Sequence, residues 1–500
     1  MRLKSISKSR RNGLLSCMAA AALAGVCCAE PYKPRLLPAG YSVETIAVPK
    51  GEQGHELQFG VGGIDFSKDG TAFIASRVEG IWKYRDGKWS RFSDHLHDPQ
   101  GIVVLDQNRV VVAQKPELTL VADTDGDGIA DLYRTLCDAW RASGNYCEYV
   151  HGPVRDSKGD YHVTINLADG ARDPGSWKGG GAAMATSGGY DGWYCKITSD
   201  GRFVPLSPGL RSPAGIGINH ETDDVFFTDN QGGWLGSSKL NHARQGQFYG
   251  YPASLIDHAD YRSDTKRISQ TVFTKILTPP VLWIPHGEMA NSPGNPIFNK
   301  TKGKFGPFEG QVFIGDQTRS NIMRCSIEKI RGAYQGAIFN FIDHLQSGCI
   351  RVAFDPKGRL WVGQTGRGWG SRGGKLYGVQ RIRWDGSTIP FEIHSINLTR
   401  TGFKLTFTRP VDKASLRDGR IAVSSWTYKY HGKYGSPKVG LTSHAVKIET
   451  VADDGKSVHI STPLQTGKVY MIKLTDVVAA DGSRMSTPRG YYTLNNLLED

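Results

Sequence analysis

The chain has 500 residues, 61 of them Gly, and a formal charge of +13. That length is more than one ordinary core serves and calls for one large domain and a smaller one, while the absence of a long 3.6-residue apolar period disfavours a helical protein and favours many short strands joined by tight turns. Lys and Arg are scattered rather than gathered in a stripe with interleaved aromatics, which argues against nucleic acid as a partner.

At the N-terminus Arg2, Lys4, Lys8, Arg10 and Arg11 precede an apolar run from Leu14 to Ala29. This is the pattern of a signal peptide over 1–29, and it points to a periplasmic or secreted protein. Removing those five cations leaves a formal charge of +8, enough to attract an anionic cofactor or polysaccharide, or only to keep the protein in solution. No later segment is apolar over a length that spans a membrane. Past the leader lie Cys137, Cys147, Cys195, Cys325 and Cys349. In an exported chain the spacing favours a Cys137–Cys147 disulfide, with Cys325–Cys349 a weaker pairing and burial as small hydrophobes the alternative.

From Gly63 onward one phrase recurs: an apolar alternation, a turn with Asp or Lys before Gly, and a second apolar run. Copies begin at Gly63, Gly101, Gly152, Gly215 and Arg351, and a sixth with an insertion lies between Pro293 and Gly315. Each copy reads as a period-2 strand, a turn and a second strand, and six copies predict an all-β, six-bladed β-propeller over 30–388. In that fold the entry loops converge on one face, which collects Gln100, His151, Arg211, the turn at Asn291 and Arg351 around one mouth. After Asp385-Gly386 the phrase stops, and shorter alternations over 389–500 predict an immunoglobulin-like β-sandwich with an accessory role.

Asp123-x-Asp125-x-Asp127-Gly128-x-x-Asp131 sets carboxylates at alternate positions around a Gly, as a calcium loop requires; Arg134 stands where a full EF-hand carries its bidentate Glu, and Asp131 is expected to replace it. His151 has Glu148 close before it and Gly-Pro after it, which suits an imidazole at a strand entry acting as general base. On spacing alone a structural histidine stays open. The chain has no Cys-x-x-Cys-His, so it carries no c-type haem of its own, and it has no zincin, α/β-hydrolase, P-loop or dinucleotide-binding signature.

The repeated phrase, the Asp-rich loop leading to His151-Gly152, Leu210-Arg-Ser-Pro-Ala-Gly-Ile, Thr228-Asp-Asn-Gln-Gly-Gly and Val362-Gly-Gln-Thr-Gly-Arg-Gly-Trp-Gly together resemble the glucose/sorbosone dehydrogenase family, over about residues 35 to 385. The likeness is greatest to its planctomycete-type secreted branch. The resemblance implies a soluble propeller that uses pyrroloquinoline quinone and calcium to oxidise a sugar or polyol, passing electrons to a separate acceptor, a cytochrome c or a soluble carrier. It implies His151 as general base, Arg211 beside the reacting quinone carbonyl, and Gln100, Arg319 and Arg351 around the cofactor. It also implies a turn at Gln231, Gly232 and Gly233 whose carbonyls hold calcium. Ser212 and Val150 depart from the family pattern. The competing expectations are a non-enzymatic glycan- or protein-binding propeller, and a metal-dependent lactonase whose ligands could come only from Glu288, Asn291 and Asp316.

Overall fold

The computed structural model describes residues 29–143, 147–167, 188–261, 269–366, 370–417 and 419–499. The expected signal peptide, except Ala29, and most of the Gly-rich stretch from Gly179 lie outside the described residues. What is described is almost entirely β.

The first copy of the phrase forms the strands Val61–Phe66 and Ala72–Ser76, and Gly80–Arg85 and Lys88–Ser93 complete a four-stranded antiparallel sheet. The turn between the first two strands works as the sequence implies: Asp69 accepts from the Thr71 amide, and Gly70 takes φ +87°. The second sheet runs from Ile102–Val104 to Leu132–Cys137, the third from Val150–Arg155 to Phe203–Pro208, and the fourth from Gly215–Asn219 to Leu282–Ile284. A fifth begins with Pro293–Phe298 and reaches Ala333–Ile342. The sixth contains Cys349–Phe354, Leu360–Thr365 and Tyr377–Trp384, and it is completed from the other end of the chain by Tyr41–Ile46, which pairs with Tyr377–Trp384. First strands pack each against the next, and the sixth returns to the first. Burying both faces of these sheets explains the continuous apolar runs such as Ala72–Ser76 and Leu118–Ala122, every residue of which is buried.

Close packing at the ring's centre demands small residues. A Cβ on Gly101 would lie 2.0 Å from Gly152 O, on Gly215 2.2 Å from Asn295 N, and on Gly294 2.2 Å from Ile350 O. In the sixth copy of the phrase the corresponding residue is Arg351, so one long side chain enters a space that the other copies leave to glycine.

The C-terminal strands form two facing sheets. Ile393–Leu398, Gly402–Phe407, Ser457–Ser461 and Lys447–Val451 make one; Arg489–Leu494, Lys468–Leu474, Ile421–Thr427 and Val439–His444 make the other. Phe403, Leu405, Val458 and Ile460 meet Val423, Tyr470, Ile472 and Tyr492 in a shared core. The second sheet is not separate from the ring: Arg489–Leu494 pairs with Ala333–Ile342, Ala337 opposite Tyr492, giving eight continuous strands. Arg324, 1% exposed, reinforces the joint by donating to His394 O at 3.0 Å from beneath Phe308 and Phe339.

Neither expected disulfide is formed among the described residues. Cys137 belongs to the core cluster of the second and third sheets and Cys147 packs in another, with Leu167 and Trp234, so no bridge joins them. Cys325 and Cys349 also sit in different clusters as free thiols, each with its pKa pushed up by burial. Hydrophobic packing fixes where these residues go, and it separates the pairs.

Candidate functional site

Alternating strand directions bring the entries of the first strands and the links between second and third strands to one face, here called the entry face. Buried acids at the ends of second strands shape it. Asp229 accepts from the backbone amides of Arg211 and Ser212 at 3.0 and 2.8 Å, and Asp316 accepts from those of Asn291, Ser292 and Arg319. Burial raises both carboxyls, Asp316 to about 6, against the pull of these amides.

At the centre, Arg351 uses every proton it has. Nε donates to Gly62 O, Nη1 to Ala214 O and Ile350 O, and Nη2 to Gln100 O and Oε1 and, at 2.8 Å, to His151 Nδ1. A guanidinium has five N–H donors, and here all are taken, the two on Nη2 being shared among three acceptors of which His151 Nδ1 is the nearest. The expectation that Arg351 contacts a cofactor is therefore corrected: it is a buried tie between first strands. Gln100 completes the group by donating to Asp98 at 2.8 Å, and Arg77 closes it with a two-pronged ion pair to Asp98 and a bond to Tyr149 Oη.

This arrangement settles the tautomer of His151. Because guanidinium can only donate, Nδ1 must accept, and the neutral ring carries its proton on Nε2. Burial, with Arg351 and then Arg77, holds the imidazole well below its usual pKa, so it is neutral. The residue thus presents an N–H donor, where the sequence led us to expect a base, and Glu148 does not change this: its carboxylate turns to Ser143, accepting from N and Oγ at 2.6 and 2.8 Å.

Arg211 differs from Arg351. Its Nη1 donates to Gln231 O at 3.2 Å, but its buried Nε has no partner among the described residues. Two further buried atoms near the Arg211–Ser212 peptide, Asn166 Oδ1 and Asn230 Oδ1, are also unpartnered there. Asn166 adjoins Leu167, whose amide donates to Arg211 O, and Asn230 donates to Ser212 Oγ. Arg211 Nε is a free donor and the two amide oxygens are free acceptors, so the group suits a polar ligand that both accepts and donates, with its negative or carbonyl oxygen at Arg211 and its hydroxyls at the amides. Arg319 lies farther round the face, its Nη1 on Gly287 O and its pKa lowered by burial and then by Arg372.

At the turn Gln231–Gly233, expected to offer carbonyls to calcium, two of the three oxygens already accept a hydrogen bond. Gln231 O accepts from Arg211, and Gly232 O accepts from the Gly435 amide at 2.8 Å, the latter belonging to the C-terminal region. Gly233 bridges Tyr434, Trp234 N donates to His431 O, and Ser436 N donates to Gly236 O. Residues 431–436 lie against this turn and bind it through hydrogen bonds. The sequence did not signal their presence.

Asp123, Asp125 and Asp127 do converge, with one oxygen of each within 4.8 Å of the others. They fit a hard cation, with Asp123 also bracing the loop by accepting from Gly126 and Gly128. Asp131 is instead turned to Thr124, accepting from N and Oγ1, because that contact closes the base of the hairpin. This loop joins a third strand to a fourth and contacts the turn at Asn108, which places it on the face opposite His151. As for the lactonase set, Asp316 is committed to backbone amides, and Glu288 turns to Lys438 and Tyr491.

Residues 204–371, which contain Arg211, Arg319 and Arg351, match the family model for glucose/sorbosone dehydrogenase. The chain is glucose/sorbosone dehydrogenase-like. It is thereby a sugar dehydrogenase-like oxidoreductase, and residues 85–160, with Gln100 and His151, match a domain of unknown function. No curated protein matches. The dehydrogenase-like chain is similar in structure to an oxidoreductase from Thermus thermophilus described as a glucose dehydrogenase, at 18% identity and a TM-score of 0.50, over 69% of this chain and 100% of that one. It is likewise similar to the calcium structure of a Trichoderma reesei family AA12 carbohydrate-active enzyme, at 13% identity and 0.50, over 71% and 98%. These likenesses show the fold.

Proposed function

We propose that this protein is a periplasmic or secreted quinoprotein dehydrogenase that oxidises a sugar or polyol, with 1–29 as signal peptide, 30–388 as a six-bladed propeller and 389–500 as an immunoglobulin-like sandwich. The observation that carries the reading is the family match over 204–371, which spans the entry-face cluster at Arg211. Pyrroloquinoline quinone, an anionic planar cofactor, suits the unpartnered donor Arg211 Nε, while the free amide oxygens of Asn166 and Asn230 suit substrate hydroxyls; when bound the quinone supplies the hydride acceptor. Arg211 would hold and polarise the developing negative charge through Nε, and His151 would hold the reacting oxygen through Nε2–H. For His151 to take the hydroxyl proton at Nε2, its own proton must move to Nδ1, and that requires Arg351 Nη2 to leave. Calcium belongs, on this reading, to Asp123, Asp125 and Asp127 as a brace. Electrons leave through a separate acceptor, a cytochrome c or a soluble carrier.

A second reading has specific support. The turn occupied by residues 431–436 and the donor tautomer of His151 both favour a propeller that binds a glycan or protein without oxidising it. One experiment decides between them: purified protein is incubated with the quinone, with and without calcium, and dye reduction is followed over a panel of sugars and polyols. Turnover that depends on quinone supports the dehydrogenase; quinone that washes out with no turnover on any substrate favours the binding propeller.

A further inference from the structure

The C-terminal region supplies a residue to the entry face. Tyr434 is 59% exposed, unusual for so large an aromatic, and Arg211 Cζ lies 5.4 Å from its ring centroid. Its backbone is fixed from both sides: Gly233 bridges Tyr434 itself, the Gly435 amide donates to Gly232 O, and Ser436 Oγ accepts from the Lys429 amide. A side chain on Gly232 would clash with Arg211 at 2.1 Å, and one on Gly435 with the Gln231 amide group at 2.7 Å, so glycine on both segments lets them meet beside that arginine. An exposed ring held on a fixed backbone loses little freedom on binding, and an aromatic beside an arginine is a common binding-site pair.

We propose that Tyr434 is a ligand-contacting residue, its ring forming the wall on which the C–H face of a sugar ring stacks while Arg211 Nε donates to a sugar or cofactor oxygen. The site is then a composite of the two parts of the chain, and the C-terminal region takes part in choosing the ligand. The identity of the ligand rests on the sugar dehydrogenase reading; the position of Tyr434 does not.

The test is equilibrium binding of a mono- and oligosaccharide panel, by calorimetry on the full chain, to wild type, Tyr434→Phe and Tyr434→Ala, alongside dye reduction with quinone. Tyr434→Ala is expected to weaken the best saccharide roughly tenfold while Tyr434→Phe stays near wild type, since aromatic contacts at this scale are worth about one decade. Where turnover is present, the loss falls on KM with kcat nearly unchanged. Equal thermal midpoints for the three proteins, expected for an exposed side chain, exclude a folding effect. Wild-type affinity in Tyr434→Ala overturns the proposal, as does a wild-type protein that binds no saccharide. Saccharide binding lost in Tyr434→Ala with no turnover in wild type supports it and removes only the dehydrogenase reading.

Discussion

A guanidinium 2.8 Å from an imidazole nitrogen dictates what that imidazole can do, and the chemistry of His151 follows from Arg351. Replacing Arg351 with Met removes the donor to Nδ1 and the charge-assisted contacts on which the buried carbonyls depend. The expected outcome is a His151 that exchanges between tautomers, seen in nitrogen-15 spectra, together with a loss of stability of about 2–4 kcal/mol for breaking a buried network; a spectrum still locked as Nε2–H would contradict this. His151 also sets an acid limit. Its folded pKa lies below the unfolded value of 6.5, so its contribution is intact above that value and is lost as pH falls, because the unfolded ring takes up a proton that the folded one refuses. Asp65 works in the opposite sense. Burial raises it to about 6 although it accepts from the Val104 and Phe66 amides, so its contribution is complete below about 4 and fades as pH rises through 6. Urea unfolding at several pH values should therefore show Asp65→Asn gaining on wild type between about pH 4 and pH 7, and a constant difference would refute the assignment. The repeat placed Arg351 and His151 at one mouth, but the hydrogen bond between them was not legible, because the two are 200 positions apart and no local pattern says which side chains meet there.

At the scale of elements, the phrase was readable because period-2 alternation and a Gly turn are both local, and the structure places strands at each copy. The Asp-rich hairpin was readable for the same reason. Calcium binding there should raise the thermal midpoint by mass action, and Asp125→Asn with Asp127→Asn should abolish that rise without touching ligand binding on the opposite face. Equilibrium dialysis should find no calcium beyond that lost in this double variant, since Gln231 O and Gly232 O already have partners; a second ion that survives would restore the turn as a metal site. The disulfide expectation failed at this scale because loop spacing says nothing of which core each cysteine faces.

For the whole molecule, composition at the C-terminus announced a change of architecture but not a shared sheet. Pairing of Arg489–Leu494 with Ala333–Ile342 depends on a chain return of about 150 residues, beyond any local pattern. A chain cut after residue 388 would expose the edge of Ala333–Ile342 and the buried faces of Ala337 and Phe339. Such a truncation is expected to aggregate or to melt well below the full chain, which should itself unfold in one transition by calorimetry; a soluble, equally stable 30–388 fragment would show the two parts to be independent. Arg351 has a further meaning at this scale. A pseudo-symmetric ring has one axis, and only one repeat can place a long side chain on it; the cavity of about 340 Å³ that opens beside Asp65 and His220 has Arg351 in its lining. The odd member of the six therefore stands as a stopper between that cavity and His151: it lines the one and donates to the other.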